Sequence, residues 1–119
     1  MAMLGAKMTR IAVDAAASGA NTLIAAGGAG NKFRIWKIHL NAAGTVTVRF
    51  RDGTTDLEGD SGRTMIAGVP LVMEAFRDFH NEPVPLFGDE LTANTLFDMT
   101  LGGAVQVSGS VWYTIGNAN

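Results

Sequence analysis

The chain of 119 residues contains no cysteine, which excludes disulfides, thiolate nucleophiles and every zinc site built on sulfur. Charge is scarce too: Asp, Glu, Lys and Arg make up 17% of the residues, against about 25% in an average soluble domain. A surface so poor in charge suits a subunit covered by its neighbours better than a free monomer. The signs nearly cancel, with 9 basic and 11 acidic residues and no clustered basic face, so nucleic acid is not an expected partner. No apolar run approaches the roughly 18 residues of a membrane span. Residues 1–10 carry Lys7 and Arg10 without an apolar core between them, so neither a signal peptide nor a membrane partner is expected. The chain reads as made in the cytoplasm and soluble.

What is present is enough for one core. Leu, Ile, Val and Phe fill 30 of the 119 positions, above the level at which chains stay disordered. The expected organisation is a flexible N-terminal arm over residues 1–8, able to grip a neighbour, followed by a single domain over 9–119.

Alternation of apolar and polar residues fixes the class of that domain. Residues 104–115 are the clearest case: Val105, Val107, Val111, Tyr113 and Ile115 share one parity, and Gln106, Ser108, Ser110, Trp112 and Thr114 the other. Further strands are expected over residues 9–16, 21–26, 32–41, 45–51, 69–75 and 93–101, with a short one near 55–57. In residues 32–41 the pattern slips, because Phe33 and Ile35 lie on one parity and Ile38 and Leu40 on the other. Such a slip near Trp36 predicts a β-bulge or a strand covered on both faces. The turns at Ala42-Ala43-Gly44 and Gly102-Gly103 suggest two hairpins, joining 32–41 to 45–51 and 93–101 to 104–115. Residues 76–90 hold Phe76, Phe79, His80 and Phe87 together with Pro83 and Pro85, and read as one long loop that must dock on the domain or on a partner. With no convincing helix, the fold expected is all-β, an antiparallel β-sandwich of about seven or eight strands, jelly-roll-like.

Chemical motifs are weak by comparison. Gly27 to Lys32 has glycines like a phosphate loop, but a strand follows where the mechanism needs a helix N-terminus. Asp52, Asp56, Glu58 and Asp60 cluster as calcium ligands do, yet Ser61 replaces the bending glycine and Ala67 stands where a bidentate Glu belongs. A solvated acidic loop is the simpler account. His39 and His80 show no ligand spacing, and none of Ser18, Ser61, Ser108 and Ser110 lies in a nucleophile elbow. No catalytic, cofactor-binding or metal residue is assigned. The notable oddity is Trp112, too large for the polar parity of its strand; cover by the aromatic loop, contact with another subunit and a sugar-stacking platform all remain open.

The order Asn21-Thr22-Leu23-Ile24, a glycine-rich turn, residues 32–40, Ala42-Ala43-Gly44-Thr45-Val46-Thr47-Val48 and finally residues 103–113 resembles a group of small β-sandwich virion structural proteins of tailed bacteriophages. The similarity spans roughly residues 21–115. It implies a subunit displayed on the virion, on the capsid surface, as a capsid decoration or cement protein. Such a protein is commonly a homo-oligomer, here expected as a homotrimer, with the phage major capsid protein as partner and no bond made or broken. Trp36, Phe76, Phe79, His80, Phe87 and Trp112 are the candidate interface residues. The alternative is a tail fibre or tailspike module that binds host surface carbohydrate through Trp36, Trp112 or the loop aromatics. A small jelly-roll enzyme is a third reading, with little material for a site.

Overall fold

The computed structural model describes residues 8–58, 62–88 and 91–117; the expected arm lies almost wholly outside them. It is built of eleven antiparallel strands: β1 (Thr9–Ala15), β2 (Gly19–Ile24), β3 (Asn31–Ala42), β4 (Val46–Asp52), β5 (Thr55–Asp56), β6 (Arg63–Met65), β7 (Leu71–Glu74), β8 (Phe76–Arg77), β9 (Pro83–Val84), β10 (Phe97–Leu101) and β11 (Val107–Asn117). One sheet has the order β1-β11-β3-β7, and the other β2-β10-β4, with β5 and β6 both paired to the free side of β4. Setting aside the two-residue strands β5, β8 and β9, the eight that remain, counted in chain order, run 1-8-3-6 against 2-7-4-5. That is the jelly-roll order of two interlocked Greek keys.

Alternation supplies one face of each sheet to a single core. Val13, Ile35, Ile38, Leu40, Val107 and Val111 come from the first sheet, and Val46, Val48, Phe50, Met65, Phe97, Met99 and Leu101 from the second. The parity slip in β3 is a bulge: Trp112 pairs with Lys37 but Tyr113 with Ile35, so Trp36 is the extra residue. Because of it, both Ile35 and Ile38 face inward and are fully buried.

The two expected hairpins do not form. β3 and β4 lie in different sheets, as do β10 and β11, so residues 43–45 and 102–106 cross from one layer to the other. The layers of a sandwich are about 10 Å apart, which about three extended residues span. The crossings lie side by side, tied by Ala43 N to Gln106 O at 2.8 Å and Gly102 N to Thr47 O at 2.9 Å. Ile115, on the core parity, is half exposed: β1 ends its pairing at Thr9 opposite Tyr113, and among the described residues the end of β11 has no neighbour on that side.

The segment expected as one long loop is instead organised. β8 and β9 form a small hairpin, a 3-10 turn follows at Leu86–Gly88, and the chain then runs beside the start of β3, with Leu91 N bonded to Phe33 O and Asn94 N to Asn31 O. Phe87 takes φ 68°, a strained conformation for a bulky residue. Its ring lies 5.9 Å from Phe50 and 6.1 Å from Phe97, and that packing offsets the strain.

Candidate functional site

The hairpin of β8 and β9 is braced at its tip. Asp78 N donates to Glu82 O and Asn81 N to Asp78 O, both at 3.0 Å, which closes a type I turn over 78–81, with Asn81 following in the left-handed region at φ 61°. The Asp78 carboxylate accepts from the His80 and Glu82 amides at 2.8 and 3.1 Å, the local bond that makes Asp favoured at the start of such turns. Arg77 Nη1 donates to Asn81 O at 2.8 Å. This frame presents Phe79 fully exposed, with Phe76 63% exposed below it. Phe76, Arg77, Asp78 and Phe79 border a shallow hollow of about 330 Å³, and His80 sits exposed beside them.

A second feature lies on the outer face of the first sheet. Met8, Trp36, Lys37, Glu74, Ala75 and Trp112 line an open cleft of about 420 Å³. The bulge turns Trp36 to this outer face, yet the residue is only 7% exposed, and its Nε1 donates to Thr114 Oγ1 at 2.9 Å. Trp112 is half-buried. No aromatic of the 76–90 segment is stacked on it among the described residues; the Lys37 ammonium lies 5.2 Å from its ring centroid and 3.5 Å from the Glu74 carboxylate. The cation over the ring is a modest attraction at such exposure, and the exposed ion pair adds little.

The six interface candidates therefore separate. Phe76, Phe79 and His80 share the exposed hairpin; Trp36 and Trp112 share the cleft wall; Phe87 belongs to the core side of the second sheet. Polar parity on β11 did not mean exposure throughout, since Ser110 and Thr114 are buried beneath Arg10, whose Nε donates to Ser110 Oγ at 2.9 Å, and Trp36.

The acidic residues near β4 are engaged by the chain itself. Asp52 Oδ2 accepts from Thr92 N and Oγ1 at 2.9 and 2.7 Å. Asp56 meets Arg51 at 3.1 Å and Arg49 at 3.6 Å. Glu58 grips Arg63, with Nη2 to Oε2 at 2.7 Å, and this hydrogen bond, with the carboxylate's charge, holds the Arg63 guanidinium above its ordinary pKa against partial desolvation. Asp60 lies outside the described residues. Among the described residues no three His, Asp or Glu side chains gather as a metal site. Sequence reasoning passed over Asp98, which is buried on the outer side of the second sheet, opposite Arg51. Its Oδ2 accepts from Thr100 Oγ1 at 3.0 Å; a charged residue on the polar parity of a strand gives no sign that neighbouring side chains will cover it.

No protein-family model matches the chain. No curated protein matches it either, and no solved structure does.

Proposed function

We propose that this protein is a bacteriophage virion structural subunit, a capsid decoration or cement protein that assembles as a homotrimer and binds the major capsid protein lattice. The observation that carries the reading is Phe79, fully exposed on a turn held by five hydrogen bonds. A rigid hairpin loses little conformational freedom on docking, and covering a phenylalanine ring contributes about 1.5–3 kcal/mol. Low surface charge and the resemblance over residues 21–115 support the same assignment. The jelly-roll architecture also serves lectins and cupins, so the fold alone does not select it. Stabilisation of the capsid then comes from apolar area buried between subunits, with no reaction at the interface. Electron cryo-microscopy of the phage particle tests it: the expected result is density for this sandwich on the capsid surface, and its absence from the capsid lattice refutes the proposal.

The cleft beside Trp112 favours one second reading, a tail fibre or tailspike module that binds host carbohydrate. Its volume of about 420 Å³ lies within the usual range of ligand clefts. Glycan-array binding that Trp112→Ala abolishes is the result this reading expects; an array without a hit refutes it.

A further inference from the structure

An edge strand offers a row of unpaired backbone donors and acceptors, and proteins commonly blunt such edges by shortness, bulges, proline or lysine. Three of the edges here are blunted. β7 has four residues, β5 and β6 have two and three, and the pairing of β2 with β10 breaks register between Phe97 and Asp98. The fourth is not. β1 runs for seven residues, TRIAVDA, paired to β11 from Thr9 to Ala15 without a register shift, and it contains neither proline nor lysine.

We infer that β1 pairs antiparallel with β1 of a second copy of this chain, about a two-fold axis through Ala12. The outward residues of the strand are Arg10, Ala12 and Asp14, all exposed. With Ala12 opposite Ala12 of the second copy, Arg10 of each chain faces Asp14 of the other, and the small alanines meet at the axis. On the core side, Ile11 faces Val13 of the second copy. Ile11 is only half-buried at present, and this contact covers it with a β-branched neighbour.

Charge selects that register. A slip of one residue sets core-facing positions against outward ones. Slips that bring Arg10 opposite Arg10, or Asp14 opposite Asp14, place like charges together, and the intermediate ones set Arg10 or Asp14 against Ala12. Inside the chain, Arg10 uses Nε on Ser110 and Asp14 uses Oδ1 on Gln106. The Arg10 Nη groups and Asp14 Oδ2 are the atoms that meet across the axis. The result is isologous, as a two-fold contact must be, and joins the two β1-containing sheets into one of eight strands. It stands independently of the capsid reading, because it doubles whatever assembly the other faces build.

Two experiments on the full chain test it. Light scattering should give the unaltered protein twice the mass of Arg10→Glu or of Asp14→Lys, while the charge-swapped double variant returns to the unaltered mass. Equal masses for the unaltered protein and both single variants overturn the inference, as does a double variant that stays apart. Because the chain has no cysteine, Ala12→Cys carries one thiol, at the axis, where directly opposed Cα atoms lie within disulfide reach. Mild oxidation should convert it to a covalent dimer, twice the 12.5 kDa chain, whereas Ala20→Cys, exposed on the other sheet, should remain single. Failure of Ala12→Cys to cross-link, or equal cross-linking by Ala20→Cys, overturns the register.

Discussion

Replacing Gly109 by alanine places a Cβ 1.9 Å from the backbone oxygen of His39 and 2.9 Å from Leu40 Cα, at φ +152°. Gly109, the third residue of β11, sits between Val13 of β1 and Leu40 of β3, so relief requires separating the two longest strands of the sandwich. The conformation costs about 1–3 kcal/mol for a residue with a side chain, and forcing backbone apart in a packed sheet adds about 1–3 kcal/mol. Gly109→Ala should therefore lose about 4 kcal/mol, a large part of the roughly 5–15 kcal/mol that holds a domain together. For a chain of this size that lowers Tm by on the order of 15 °C. Two controls separate the causes. Gly68 has φ +81° with open space around it, and Gly103 has open space with no unusual φ; alanine there should cost about 1 kcal/mol and under about 0.5 kcal/mol respectively. Urea unfolding followed by tryptophan fluorescence reads all three. A Gly109→Ala variant no less stable than Gly68→Ala refutes the steric argument.

Phe87→Ala should lose about 3–5 kcal/mol because its ring packs against Phe50 and Phe97, while Phe79→Ala, fully exposed, should stay within about 0.5 kcal/mol; thermal unfolding of the pair checks this, and equal losses contradict it. Trp36→Phe removes the buried donor to Thr114 Oγ1 and should cost about 1–3 kcal/mol in the same denaturant assay; unchanged stability contradicts the bond's structural weight.

Much of the fold was legible where a strand's parity is set by one core. The slip between Ile35 and Ile38 located the bulge at Trp36, because a bulge is the way for one strand to keep both residues inside. The division of strands between sheets was not legible. Alternation is the same for a strand that turns back within a sheet and one that crosses to the other, and a three-residue link such as 43–45 serves both. Residues 104–106 continue the alternation of β11, so the sequence showed a two-glycine turn where the chain has a five-residue crossing from Gly102 to Gln106. For the candidate site, prolines two apart marked an irregular segment but not its interior order. Asp78 and Asn81, good residues for a turn and its left-handed exit, were the signal for the hairpin. The fate of each aromatic was hidden: Phe79 and Phe87 lie eight positions apart in one segment, one in solvent and one against the core.

On the proposed function, this sandwich is a capsid subunit that docks through the Phe79 hairpin. An electron cryo-microscopy map of the phage particle measures it most directly. The expected map shows the jelly roll on the capsid surface with the tip of the β8–β9 hairpin against the major capsid protein, and a capsid lattice without this density contradicts the proposal.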